Sequence, residues 1–154
     1  IVVVGEIPKQ EEEKIKQMTR ADLVHAKIKV LGVKTMQGGN LGSVSGKKVA
    51  LFCGIGNPSR FIKTVESLGA EVVMAKCFYD HSEITEEFLE KYAVFSKKKG
   101  ATVMLCTEKD KIKLQNKGLK NCLLPIGWVE AKLEISENLP AWERMIEQIR
   151  GIVS

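Results

Sequence analysis

The chain has 154 residues and carries 24 lysines and arginines against 19 aspartates and glutamates, a formal net charge of +5. That length suits one domain, or one with a small appendage, and can bury a real core. The mild charge favours an anionic partner, no apolar run reaches the ~18 residues of a membrane-crossing helix, and four cysteines with two histidines show neither a C-x-x-C pair nor a zinc spacing.

Residues 1–8, IVVVGEIP, read as a short buried strand running into a turn. The apolar run stops at Gly5, too short for a signal peptide. A start at Ile1 rather than Met leads us to expect a piece of something longer. Residues 9–20 are charged and mostly solvated. Residues 21–36 mix apolar and basic residues and hold one or two strands, with His25 in a structural place. QGGNLGSVSGKK (37–48) is the best linker or turn, and a boundary is placed near 46. The expected division is thus 1–46, linker strands and an interlobe segment, and 47–154, an α/β lobe.

From residue 49 the pattern is regular. VALFCGI (49–55) is a buried-strand run. Asn57 caps a helix, Pro58 suits its first turn, and Gly69 stops it. EVVMAKCF (71–78) is a second strand. Thr85 caps the next helix, with Glu86 and Glu87 in its first turn and Lys97, Lys98 and Lys99 in its last, both suited to the helix dipole. TVMLCT (102–107) is a third strand and EKDKIKLQNK (108–117) a short helix. CLLPI and WVEAKLEI read as strands, and PAWERMIEQIRGIV (140–153) as a closing helix with Trp142 in the core. Strands alternating with helices predict an α/β fold: a doubly wound, mostly parallel sheet with helices on both faces.

Ligands bind such sheets at the carboxyl ends of the strands. Three polar segments fall there. In the first, Gly54 and Gly56 allow backbone conformations that side chains forbid, the helix after Asn57 offers N–H groups to an anion, and Arg60 adds charge. It lacks the third glycine of a dinucleotide fingerprint. Nowhere does the chain contain G-x-x-x-x-G-K-[ST], so it has no P-loop. The second segment, FYDHSEIT, places Asp80 and His81 between a strand and a helix, where a histidine can serve as general base or acid. In the third, Thr107 caps a helix whose first turn carries Glu108, Lys109 and Asp110. Lys109 and Lys113 share one helix face. These groups could bind a cation or a phosphate, or simply start a helix. Cys77 and Cys106 have no histidine in a readable motif and read as buried thiols. Aromatics interleaved with basic residues are lacking, which argues against nucleic acid.

CGIGNPSRF, FYDHSEIT, TEKDKIKL and LLPIGWVEAKLEI, in that order, resemble the C-terminal half of the tetraacyldisaccharide 4′-kinase family, the lipid A 4′-kinases of Gram-negative bacteria. The resemblance is densest from 49 to 126. It implies a Rossmann-like lobe of a P-loop-type kinase. It also implies transfer of the ATP γ-phosphate, with Mg²⁺, to the 4′-hydroxyl of a lipid A disaccharide 1-phosphate at the cytoplasmic face of the inner membrane. Asp80 and His81 match the family's catalytic Asp-His. Gly54, Gly56, Asn57 and Arg60 match its Gly-x-Gly-Asn-Pro-x-Arg, and Thr107, Glu108, Lys109 and Asp110 its Thr-Glu-Lys-Asp, both assigned to cofactor binding; no residue is assigned to metal. ATP and Mg²⁺ would sit mainly on an N-terminal P-loop lobe, the expected partner, which would also bring the membrane surface. Without it this lobe is expected to be inert. The alternative is a stand-alone α/β module that binds a nucleotide or small anion without catalysis.

Overall fold

The computed structural model of the chain describes residues 1–78, 83–115, 117, 119 and 122–153, the last two by backbone alone. Its elements are β1 (Val2–Val4), α1 (Lys9–Met18), β2 (Val24–Thr35), β3 (Lys48–Cys53), α2 (Pro58–Ser67), β4 (Glu71–Cys77), α3 (Glu86–Lys98), β5 (Val103–Thr107), α4 (Glu108–Leu114), β6 (Ile126–Glu137) and α5 (Leu139–Val153). Neighbouring strands run in the order β1-β2-β6-β5-β3-β4. The pairs β1–β2, β3–β4, β3–β5 and β5–β6 are all parallel. The fold is the mostly parallel α/β sheet that the alternation predicts.

The chain forms two compact units, Val30–Glu130 and, in two pieces, Ile1–Lys29 with Ala131–Ser154. The composition boundary near 46 falls within the former. There β3 and β5 are buried on both faces, so they read as unbroken apolar runs. Alternate side chains serve alternate faces. Val49, Leu51, Cys53, Val103 and Leu105 pack with Phe61 and Val65 of α2. Ala50, Phe52, Met104 and Cys106 pack with Leu89, Tyr92 and Ala93 of α3. Consecutive helices thus cover opposite faces, which is the doubly wound arrangement. Each large side chain buried here contributes about 1.5–3 kcal/mol. The Tyr92 hydroxyl is satisfied inside the core by donating to Leu51 O at 2.7 Å.

Punctuation follows the local chemistry. Gly69 ends α2 with φ of 81°, and a Cβ there would lie 2.6 Å from Ser45 Oγ. Asn57, Thr85 and Thr107 each accept the N–H of the residue three positions on.

Residues 9–18, charged and solvated as expected, form helix α1, which buries no residue, because its run of Lys and Glu favours helix without an apolar face. Other expectations need correction. CLLPI is not a strand: only Ile126 joins β6, since Pro125 has no N–H to donate, although its carbonyl accepts from Met104 N at 2.9 Å. Gly127 does not interrupt β6 but permits a close approach, its would-be Cβ lying 2.9 Å from Lys34 O. Cys77 is exposed, because β4 is the edge strand of the sheet, and Trp142 is only half-buried.

In the discontinuous unit, β1 pairs with the start of β2 in the register Val2↔Val24. His25 is half-buried with its Nε2 3.7 Å from Glu12 Oε1. Asn138 takes the left-handed conformation, φ 59°, and donates from Nδ2 to Leu23 O at 2.8 Å.

Candidate functional site

Because β3 and β5 are parallel neighbours, both chains leave the sheet at the same edge, β3 into the glycine elbow and β5 into α4. The two segments meet there through one side chain. Asp110 is fully buried, and both its carboxylate oxygens accept the Gly54 N–H, at 3.1 Å each. The Thr107 hydroxyl donates to Asp110 Oδ2 at 2.6 Å and accepts the Asp110 N–H at 3.3 Å. A buried carboxylate is tolerated only when its lone pairs are taken up in this way. Asp110 therefore bolts the end of β3 to the start of α4.

Gly54 is required for space rather than for an unusual backbone. Neither it nor Gly56 is among the glycines with positive φ. A Cβ on Gly54 would lie 3.3 Å from Asp110 Oδ1, 3.5 Å from Lys113 Nζ and 3.8 Å from Phe78 Cβ, whereas one on Gly56 would meet nothing within 4 Å. The expectation that both glycines serve a forbidden backbone conformation is corrected accordingly.

Asn57 caps α2, its Oδ1 accepting the Arg60 N–H at 3.1 Å. Pro58 has no N–H, so the first turn of α2 offers an anion less than a bare helix start would. Gly56, Asn57 and Arg60 are exposed, as are Glu108 and Lys109 on α4. Of the second segment, Asp80 and His81 lie outside the described residues. The strand leading to them is held at its exit, since Phe78 N–H donates to Cys53 O at 2.8 Å.

Cys53 and Cys106 are buried and poorly poised as nucleophiles. Burial first, and then the neighbouring Cys77, pushes the Cys53 thiol up to about 12. Burial drives Cys106 upward as well. A thiol so shifted carries almost no thiolate at neutral pH.

Lys113, which the sequence groups with Lys109 as a strand-end lysine that could bind a phosphate but does not assign to the site, lies at its centre. Its Nζ is 3.9 Å from Asp110 Oδ1. Among the described residues, no three His, Cys, Asp or Glu side chains are grouped to hold a metal. Asp110 spends its oxygens on N–H and O–H donors, so the described residues do not fit Mg²⁺. For a phosphate, the fitting chemistry is the Lys113 ammonium beside the elbow.

An α/β lobe whose glycine elbow is tied to a strand-end Thr-x-x-Asp turn is thus the class of protein that fold and site define. Comparison with known proteins narrows it. The profile of the tetraacyldisaccharide-1-P 4′-kinase (LpxK) family matches residues 1–150. Over 112 residues the chain is 31% identical to the tetraacyldisaccharide 4′-kinase of Chlamydia abortus, a match covering 73% of this chain and 30% of that protein. It is 40% identical over 70 residues to that of Desulfotalea psychrophila, covering 46% and 20%. The crystal structure of "apo" form LpxK from Aquifex aeolicus in complex with ATP has the same fold, with a TM-score of 0.53 at 21% identity over 96% of this chain and 42% of that one. The chain belongs to the tetraacyldisaccharide-1-P 4′-kinase family. Its matches span less than a third of the length of these curated relatives. No helix among the described residues is long and apolar enough to cross a membrane.

Proposed function

We propose that this chain is the C-terminal lobe of a lipid A 4′-kinase, joined at work to a P-loop lobe that holds ATP and Mg²⁺. Bound ATP supplies the γ-phosphate, and the acceptor is the 4′-hydroxyl of a tetraacyldisaccharide 1-phosphate at the cytoplasmic face of the inner membrane. The observation that carries this reading is the family match across residues 1–150. The short span of the chain against its relatives leaves room for a second lobe, and residues 1–46 would then be the interlobe strands. The Asp110 bolt gives the lobe a rigid edge on which to present its groups, and rigid positioning is most of what phosphoryl transfer asks of a protein.

In this reading His81 holds or moves a proton at the acceptor side, paired with a carboxylate of the other lobe, and Asp80 beside it orients another group of the cleft. Exposed Gly56, Asn57 and Arg60 line the cleft from the α2 side and Glu108 and Lys109 from the α4 side, while Gly54, Thr107 and Asp110 tie the two segments together beneath the ligand. The test is His81→Ala in the complete two-lobed kinase, which should lower kcat by roughly 10²–10⁴ while the fold persists. Unchanged turnover would remove His81 from the mechanism. This chain by itself, given ATP, Mg²⁺ and lipid substrate, should turn nothing over.

A further inference from the structure

Lys113 inverts the usual habit of a surface lysine. Such side chains lay the methylene stem on apolar surface and keep the ammonium in water. Here the side chain is 31% exposed, yet its Nζ is buried against the Gly54 face and, among the described residues, has no hydrogen-bond partner. Its nearest described anion, Asp110, stands 3.9 Å away, beyond hydrogen-bond reach.

Nor does Asp110 need the lysine. Its oxygens already accept from the Gly54 N–H and the Thr107 hydroxyl. The ion pair therefore steadies the ammonium without occupying any of its donors. A buried polar group in this condition calls for an explanation. Mere neutralisation of Asp110 is a poor one, because it would favour direct hydrogen bonding. The position itself is informative: Lys113 lies one turn along α4 from the strand end, beside the glycine elbow, at the edge where α/β sheets take ligands.

We propose that Lys113 is the oxyanion receptor of this cleft. Its ammonium rests on Asp110 when the cleft is empty. It swings outward along its already exposed stem to donate to the phosphate oxygens of a ligand seated over Gly54. A lysine suits this role because it is a compact charge with freely turning donors on a flexible stem. The departure breaks no hydrogen bond, and Asp110 keeps its own. The ligand class is a phosphate monoester or polyphosphate, which the kinase reading supplies from two sources, a nucleotide or a sugar 1-phosphate. The inference rests on that reading for its ligand class only.

The test uses this chain with its lysines labelled by ¹⁵N, titrated separately with ADP and with glucosamine 1-phosphate, with Lys113→Met assigning the Nζ resonance and Lys97→Met, exposed in the last turn of α3, as a control. The expected result is a saturable shift of the Lys113 signal with one of the two ligands, which names the source. Affinity should fall about tenfold in Lys113→Met, the loss of one hydrogen bond to a charged group, and hold in Lys97→Met. Lys113→Arg should restore part of it. Binding that Lys113→Met leaves unchanged, an unmoved Lys113 signal, or no binding of either ligand would each overturn the proposal and leave Lys113 as a hydrated counter-charge only. Lys113-dependent binding together with a two-lobed protein that transfers no phosphate would instead sink the kinase reading and leave this site standing.

Discussion

The starts of α2 and α4 look alike in sequence and do different work. Each follows a buried parallel strand, and each is capped by a side chain that accepts the N–H three residues on, Asn57 from Arg60 and Thr107 from Asp110. At α2 the cap closes the helix, and the residue receiving it is exposed. At α4 the capped residue turns back. Its carboxylate accepts the Thr107 hydroxyl, reaches the end of β3 and takes the Gly54 N–H. The first cap finishes a helix and the second assembles a site. A capping pattern therefore reports a helix start and is silent on what its third residue will touch.

Replacing Asp110 should break this contrast most severely. Asp110→Ala strands the buried Gly54 N–H and removes the only described anion beside Lys113, and should cost about 3 kcal/mol or more in urea unfolding. A loss below about 1 kcal/mol would mean that water takes over the role. Gly54→Ala pushes a methyl group to 3.3 Å from Asp110 Oδ1 and should cost about 1–3 kcal/mol, as overpacking does.

The two caps themselves should separate next. Thr107→Val loses both the cap and the hydroxyl donated to Asp110, and should cost about 2 kcal/mol, against about 1 kcal/mol for Asn57→Ala. Equal losses would place the whole role of Thr107 in the helix start. The smallest effect belongs to Gly56→Ala, which meets open space and should stay within about 0.5 kcal/mol. A large loss there in activity of the two-lobed kinase, with stability unchanged, would mark Gly56 as a ligand wall.

Most of the fold is legible in the amino-acid sequence. Apolar runs, caps at Asn57, Thr85 and Thr107, and the stop at Gly69 place β3 through α4 nearly where they lie. Where sequence patterns mislead, a competing local influence is at work. The charged run at 9–18 lacks an apolar stripe and so hides its helix, and Pro125 disguises the entry to β6.

By itself the sequence determined what depends on near neighbours along the chain: helix starts and stops, the alternation of strand and helix, and hence the parallel α/β class. It also carried the motifs by which the family is recognised. Tertiary structure alone decided that Asp110 is buried rather than a solvated first-turn acid. It likewise decided that Gly54 is needed for room and that the tip of Lys113 lies inward. An acid at the third helical position satisfies the helix dipole whether or not a second strand lies within its reach. Only the parallel register of β3 beside β5 brings the Gly54 N–H to it, from 56 residues away along the chain.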